Sequence, residues 1–246
     1  MLNELWKMTA HQVKTGHFKK AVIAIGSCEA HGQHLAEGCD TLVAYKLAKQ
    51  VADEMGDMLV LPPIPVGYSG HYDSFPFSLT LRYDTIIQVI YDIVESVLRN
   101  GINTVLLMNG HDGNIAPIEV ASRKLKEVYP NARIVALDQW WITAGDLLPN
   151  GFFEAWHGAG HAGECESSIA YYLFGEWCEP ELATCVIPEL PTLMSVKWDF
   201  SELTDTAQTG DATKGTKEKG EQINRVLVDY CVKTLRELDA RNWTFK

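Results

Sequence analysis

Histidines and carboxylates are concentrated in three short, glycine-containing segments of the sequence. The segments are GSCEAHGQH, which continues to an aspartate, NGHDGN, and HGAGHAGECE. Carboxylate oxygen and imidazole nitrogen together suit Zn²⁺, Mn²⁺ or Fe²⁺, and no thiolate is needed. Three carboxylates and two histidines exceed what one catalytic metal requires, so the set predicts a site for two divalent metal ions per subunit. The candidate ligands are Glu29, His31, Asp40, His111 and either Glu166 or Glu164.

Each segment taken alone also has a purely structural interpretation. A lone Glu-x-His pair is common, and Asn-Gly-His is typical of a tight turn that buries a hydrogen-bonded histidine. However, six of the eight histidines lie in loops that contain glycine or serine, which a scattered surface distribution would not produce. This clustering favours the metal site. The six are His31, His34, His71, His111, His157 and His161.

The elements that must position these segments alternate between short β-branched runs and longer amphipathic stretches. Strands joined by helices in this way indicate βαβ units, a mostly parallel sheet and helices on both of its faces. In such a sheet ligands bind at the carboxyl ends of the strands, where the first two segments begin. The predicted strands are 21–25, 58–61, 104–108 and 133–137, and the predicted helices are 40–55, 83–99, 114–128, 164–176 and 220–240.

The composition of the 246-residue chain is that of a globular protein and disfavours several partners. It is 46% hydrophobic and 22% charged, with a formal net charge of −11 that opposes binding to a phosphate backbone. No apolar run approaches the roughly 18–20 residues that span a bilayer, and the charged N-terminal segment does not resemble a signal peptide. We therefore expect a cytoplasmic protein with no nucleic-acid or membrane partner, whose six cysteines are reduced.

The three segments also resemble the signature of the creatininase (creatinine amidohydrolase) family, in the order in which that family has them. GSCEAHGQHLAEGCD is similar to GSxEQHGPHLPLGTD, NGHDGN to NGHGGN, and HAGECESS to HAGxxETS. The resemblance covers the chain from Ala21 to about Ile169. It implies a single-domain, three-layer αβα sandwich with a mostly parallel central sheet, spanning residues 1–246. It also implies a dinuclear metal site, a homo-oligomer that is usually a hexamer, and hydrolysis of a C–N bond in a small, often cyclic, amide.

Transferred position by position, the resemblance assigns a role to each ligand of the first loops. Glu29 and His111 would bind one metal, and His31 would bind the other. Asp40 would bridge the two ions. His161 matches the catalytic histidine of the family.

The second metal lacks one ligand that creatininase itself has. That enzyme carries a glutamate two residues after the Asn-Gly-His histidine, where this chain has Gly113. Family members with glycine at this position use the glutamate that matches Glu166, and Asp112 is the alternative. The missing glutamate weakens the case for creatinine as the substrate. The sequence also departs from the signature at Cys28, Ala30 and Cys39. These changes do not alter the expected reaction class, but they bear on which substrate is bound.

A site of this kind would hydrolyse an amide through a metal-bound water of lowered pKa and a polarised carbonyl. The leaving nitrogen must be protonated, and we expect His161 or Glu164 to act as the general acid. Trp140, Trp141 and Trp156 are expected to wall the substrate pocket, with a place in the core or in a subunit interface as the alternative. Ser69, His71 and Tyr72 are expected to contact the substrate, with a plain turn as the alternative.

Other functions compete with amide hydrolysis by a creatininase-like enzyme. A deformylase acting on a formamidopyrimidine would use the same metals, and a non-catalytic binding protein could retain the fold. A dinuclear phosphoesterase would need cationic groups for phosphate, and the motif loops contain no arginine or lysine. The stock of seven tryptophans and nine tyrosines predicts subunit interfaces. The polar stretch 201–220 predicts a mobile surface loop, with a lid or a subunit-contact arm as the alternative.

Overall fold

A four-stranded parallel sheet forms the centre of the protein. The computed structural model describes residues 3–190 and 194–245. The strands are β1 (Lys20–Ile25), β2 (Met58–Val60), β3 (Thr104–Asn109) and β4 (Arg133–Leu137). Their order across the sheet is β2-β1-β3-β4, and all three pairings are parallel. Because β1 and β3 are central and pair along their whole length, their carboxyl ends lie side by side at Ile25 and Asn109.

Helices cover both faces of the sheet and make a three-layer structure. Side chains of β1 alternate between the two faces: Val22 and Ala24 join one hydrophobic cluster, whereas Ala21, Ile23 and Ile25 join the other. No helix within the described parts of the chain is both long and apolar enough to cross a membrane. The first cluster includes α2 (Cys39–Met55), α5 (Trp140–Leu147), α6 (Glu164–Phe174) and α7 (Lys217–Ala240), and the second includes α3 (Tyr83–Arg99) and α4 (Ile115–Val128).

Within the described residues, the sequence pattern predicted all four strands of the central sheet and five of the seven α-helices, with ends that differ by at most three residues. The α/β class with a mostly parallel sheet is confirmed. Periodicity worked because the helices are amphipathic: α3, for example, buries Ile86, Ile90 and Val94 at helical spacing. The elements not predicted are α1 (Ala10–Thr15), α5, and a short antiparallel pair of β5 (Cys185–Val186) with β6 (Gly210–Asp211).

The polar stretch 201–220 is only in part the surface loop that its composition predicted, because residues 207–210 are buried. Gln208 and Thr209 are buried, and the Thr209 backbone N–H donates to the carbonyl of His161 at 2.9 Å. The Thr209 hydroxyl in turn accepts from the His161 backbone N–H at 3.0 Å. A Cβ on Gly160 would lie 2.4 Å from the Thr209 carbonyl oxygen, so glycine permits this close approach. The stretch therefore packs against the loop that carries His161 and hydrogen-bonds to it.

Candidate metal centre

The loops that follow β1 and β3 meet the first turn of α2 at the carboxyl end of the sheet. The Gly110 N–H donates to the carbonyl of Ile25 at 2.8 Å, and this bond joins the two loops. A Cβ at Gly110 would lie 2.2 Å from the backbone oxygen of Asp40. The glycine therefore lets α2 approach closely enough for Asp40 to reach His111.

The Asp40 carboxylate lies between two histidines and faces each with a different oxygen. Its Oδ1 is 2.9 Å from Nε2 of His31, and its Oδ2 is 3.1 Å from Nδ1 of His111. The Ser27 hydroxyl donates to Oδ2 at 2.5 Å. Burial alone would raise the pKa of Asp40, but His31 and His111 hold it well below its usual range. One carboxylate shared in this way has the arrangement that a bridging ligand requires.

Backbone carbonyls fix which nitrogen of each histidine faces the cluster. Nδ1 of His31 donates to the Glu29 carbonyl at 3.0 Å, Nε2 of His111 donates to the Tyr68 carbonyl at 2.7 Å, and Nε2 of His161 donates to the Ala30 carbonyl at 2.7 Å. A carbonyl can only accept, so the proton must be on the nitrogen that faces it. The other nitrogen of each ring is thereby directed at the carboxylates. Metal-binding histidines are oriented by this type of outer hydrogen bond.

Glu29 shows most directly that the cluster suits a cation. The side chain is fully buried, and neither carboxylate oxygen has a hydrogen-bond partner among the described residues. Oε1 lies 3.2 Å from Nδ1 of His111, the nitrogen that the tautomer leaves unprotonated in a neutral ring. Two facing lone pairs repel unless a cation or a proton lies between them. A divalent cation bound to these atoms would satisfy them, and the donor set therefore fits a metal.

The buried carboxylates raise the pKa values of the histidines beside them. Burial opposes charge on both rings, but Asp40 raises the pKa of His31 to about 10, and Glu29 with Asp40 raises that of His111 well above its usual range. Burial and the charge of Asp40 raise the pKa of Glu166 to about 7. The three carboxylates therefore favour positive charge in the cluster, which is the property that a cation site requires.

Three groups of side chains bring their ligand atoms within 4.8 Å of one another. They are Glu29 with Asp40 and His111, Glu29 with His31 and His161, and His31 with Cys39 and Asp40. Four of the five predicted ligands belong to these groups. The thiol of Cys39 was not predicted as a ligand, since this position was identified only as a departure from the family signature that bears on the substrate. Burial and the charge of Asp40 raise its pKa well above the usual range.

Glu166 lies in the same cavity but outside the three tight groups. It is the third residue of α6, and its Oε2 accepts from the Ala162 N–H at 2.5 Å. Asp112, the alternative, is solvent-exposed at the mouth of the cavity. At Gly113 a Cβ would lie 2.1 Å from the Tyr68 carbonyl oxygen, so this backbone excludes the glutamate that creatininase carries there.

His161 lies at the edge of the cluster with Nδ1 3.9 Å from Oε1 of Glu29. Its ring packs against those of His31 and Tyr72, with centroids 4.2 and 4.7 Å away. Burial and the neighbouring His31 lower the pKa of His161 to about 3. The ring is therefore neutral, with Nδ1 free to accept a proton or to bind a metal.

Glu164 does not have the position expected of a general acid. It is two residues before Glu166, and two residues on a helix differ by about 200° in direction, so the two side chains point to opposite sides of α6. The Glu164 carboxylate is fully buried and accepts from the backbone N–H groups of Glu154 and Ala155. It also pairs with Lys219. This carboxylate faces away from the metal cluster.

A cavity of about 270 Å³ opens above the cluster and has aromatic walls. His71, Tyr72, Trp141 and Trp156 line it, as predicted. Ser69 and Trp140 do not line it. Ser69 is fully buried beneath the loop, and the Trp140 ring is 1% exposed in the core beside α2 and α7.

Two further aromatic residues of the cavity were missed from the sequence. The Phe200 ring centroid lies 5.2 Å from that of His161, and Trp198 lies 5.8 Å from His71. The Trp-x-Phe pair directly before the polar stretch was the available signal. The described lining also contains Asp40, Asp112 and Glu166, and it contains no lysine or arginine.

Three proteins of known function are similar in sequence to this chain over most of their length. The creatinine amidohydrolase of Pseudomonas putida is 27% identical over 94% of this chain and 94% of its own. A mycofactocin precursor peptide peptidase of Mycobacterium ulcerans is 25% identical over 94% and 90%. A 3-dehydro-scyllo-inosose hydrolase of Thermotoga maritima is 27% identical over 89% and 78%. The relatives therefore differ in their substrates.

Solved structures of creatininase have the same fold. A manganese form has a TM-score of 0.80 at 25% identity and covers 96% of this chain and 98% of its own. A mutant creatininase of the Zn-Zn type has a TM-score of 0.78 at 26% identity, covering 95% and 97%. The family model described as creatinine amidohydrolase matches residues 6–235. The chain therefore belongs to the creatininase family of metal-dependent hydrolases.

Proposed function

We propose that this protein hydrolyses the C–N bond of a small amide with two divalent metal ions per subunit, Zn²⁺, Mn²⁺ or Fe²⁺. The observation that carries the proposal is the Asp40 carboxylate between His31 and His111, next to the unpartnered carboxylate of Glu29. Glu29, Asp40 and His111 would hold one ion. His31, Asp40 and Glu166 would hold the other, with Cys39 within reach of that side. The whole chain, 1–246, would act as one hydrolase domain.

The residues of the chain divide the remaining tasks. Bound divalent ions would supply a water of lowered pKa and polarise the amide carbonyl. His161, neutral and hydrogen-bonded through Nε2, presents Nδ1 towards the cluster and can take up a proton there. It would then pass this proton to the leaving nitrogen, as a general acid. Tyr72 and Phe200 pack against the ring and hold its orientation.

The walls of the cavity indicate which substrates fit. Trp141, Trp156 and Trp198 offer flat apolar faces for a planar or cyclic amide. Asp112 at the mouth adds negative charge, and no lysine or arginine is present among the described lining residues to bind phosphate or carboxylate. We therefore infer a neutral or cationic amide. A formamidopyrimidine-type formamide also meets these requirements, and a phosphate ester does not.

A screen of substrates tests the proposal. Protein loaded with Zn²⁺ or Mn²⁺ is assayed against creatinine, cyclic ureides, formamidopyrimidines, short peptides and p-nitrophenyl phosphate. We expect at least one amide to be hydrolysed and the phosphate ester to remain intact, with Asp40→Asn as the inactive control. Hydrolysis of the phosphate ester alone would refute the proposal. Tight binding of an amide without turnover would identify a binding protein that has retained the fold.

We also propose a cytoplasmic homo-oligomer, in keeping with the hexamer that the family resemblance implies. All six cysteines are free thiols, which suits a reducing compartment. Exposed Trp6, Trp177 and Phe77 provide apolar surface for subunit contacts. Sedimentation equilibrium gives the mass directly. A stable particle of 27.5 kDa, the mass of one chain, would refute the oligomer.

A further inference from the structure

We propose that the buried Glu164 and the partly buried Lys219 form an ion pair that positions the Trp156 segment, residues 154–158, against the substrate cavity. In this role Glu164 is a positioning residue and does not touch the reacting atoms. The effect on catalysis rests on the proposed amidohydrolase function, whereas the effect on the segment does not.

The backbone of the Trp156 segment has an unfavourable conformation. Trp156 has a φ of 46°, His157 a φ of 55° and Gly158 a φ of 77°, so three successive residues are left-handed. For residues with a Cβ this conformation costs free energy and persists only where the surroundings impose it. The segment carries Trp156, which lines the cavity, and leads directly to His161. External contacts must therefore determine its position.

Glu164 supplies those contacts from the first turn of α6. Its Oε2 accepts from the N–H groups of Glu154 at 3.0 Å and Ala155 at 3.1 Å, the two residues immediately before the left-handed run. Its Oε1 accepts from the Glu154 N–H as well, at 3.1 Å. The carboxylate is fully buried, so water does not compete for these bonds. The segment is thus attached at its base to the helix that also carries Glu166.

Lys219 neutralises this buried carboxylate from α7. Its Nζ is 2.6 Å from Oε1 of Glu164 and 2.8 Å from Oε1 of Glu154, and it donates to the Lys214 carbonyl at 3.1 Å. Its side chain is only 16% exposed, against 44% for Lys214, which approaches Glu154 at 3.7 Å. A buried carboxylate without a cationic partner is costly, so the contact with Lys219 stabilises Glu164 in its position beside the two N–H groups.

Hydrogen exchange by mass spectrometry on the full-length protein tests the positioning directly. In Glu164→Gln and in Lys219→Met we expect exchange in residues 154–158 to rise by about tenfold or more, while β1 and β3 keep their protection. Lys214→Met is the matched control, because it removes an exposed lysine that approaches Glu154 but not Glu164. Exchange in residues 154–158 should not change in this variant. If Glu164→Gln fails to fold, Lys219→Met and Lys219→Arg decide alone, and Lys219→Arg should restore most of the protection.

Kinetics with an amide that the protein hydrolyses separate positioning from acid catalysis. We expect Glu164→Gln to raise KM by about tenfold, with kcat within about threefold and metal content unchanged, because the Trp156 wall is displaced. Exchange in 154–158 that matches the wild type in both Glu164→Gln and Lys219→Met would overturn the proposal. So would a fall in kcat of about 10²-fold with unchanged KM and exchange, which would make Glu164 the general acid. Without any amide turnover, the exchange result still decides.

Discussion

Oδ2 of Asp40 lies 3.1 Å from Nδ1 of His111, while Oδ1 of the same carboxylate lies 2.9 Å from Nε2 of His31. The two histidines come from loops after different strands, and Asp40 comes from the first turn of α2. A single carboxylate therefore connects the two halves of the candidate site. The ring nitrogen of each histidine that faces away from Asp40 donates a hydrogen bond to a backbone carbonyl. Neither ring can therefore rotate away from Asp40 without losing that hydrogen bond.

Replacing Asp40 should affect both metal positions at once. We expect Asp40→Asn, which keeps the size of the side chain but removes its charge, to lower the metal content from two equivalents to less than one. His31→Ala should retain about one equivalent, since Glu29, Asp40 and His111 remain. Elemental analysis of reconstituted protein after gel filtration measures both. Two equivalents in Asp40→Asn would contradict the bridging role, and one equivalent in the wild type would contradict the dinuclear site.

Replacing His161 should separate proton transfer from metal binding. We expect His161→Asn to keep its metal while kcat falls by roughly 10²-fold or more, the usual loss for a missing general acid or base. The structure makes the opposite result informative, because Nδ1 of His161 lies within reach of Glu29 and His31. Loss of about one equivalent, with partial recovery of activity in excess Zn²⁺ or Mn²⁺, would identify His161 as a ligand.

The sequence predicted the sheet, the main helices and the position of the candidate ligand cluster at the carboxyl end of the strands. These features depend on local periodicity and on residues that directly follow strands, such as His111 after β3. Glu164 and Trp140 were misplaced because the direction of a side chain depends on how its helix packs. Helical phase separates Glu164 from Glu166, and Trp140 begins a helix that the sequence did not reveal.

The contributions of Phe200 and Cys39 could not be predicted for a different reason. Phe200 reaches His161 through a chain segment that is distant in sequence, and no local pattern gives such a contact. Cys39 was visible as a departure from the family signature, but its approach to His31 follows from the path of the loop into α2. Tertiary contacts of this kind require the folded structure.

The ion pairs of Lys20 predict a pH-dependent stability that is independent of the active site. Lys20 Nζ lies 2.9 Å from both Asp57 and Asp239, and it lowers the pKa of Asp239 against the opposing effect of burial. A lowered pKa stabilises the fold above the unfolded value, near 3.8, and this contribution is lost as the pH falls through the folded value.

Urea unfolding of Asp239→Asn measures this contribution. We expect a loss of about 1 kcal/mol or less at pH 7, since the Asp239 side chain is 35% exposed and water screens the pair. The difference between the variant and the wild type should shrink as the pH falls from 5 to 3. A difference that grows over this range would contradict the assigned sign.

Gly113 should not accept the glutamate that completes the second metal in creatininase. A Cβ at this position would lie 2.1 Å from the Tyr68 carbonyl oxygen and 2.5 Å from Nε2 of His111. Nε2 donates to that carbonyl in the hydrogen bond that orients the ring. We expect Gly113→Ala to lower the free energy of unfolding by about 1–3 kcal/mol and to weaken metal binding.

Gly145→Ala is the control, because Gly145 is helical and has open space around it, and should stabilise the protein by about 0.5–1 kcal/mol. Urea unfolding and metal titration test both variants. If Gly113→Glu instead folds with wild-type stability and retains two metals, the backbone of this loop is adaptable, and Glu166 is no longer required as a ligand.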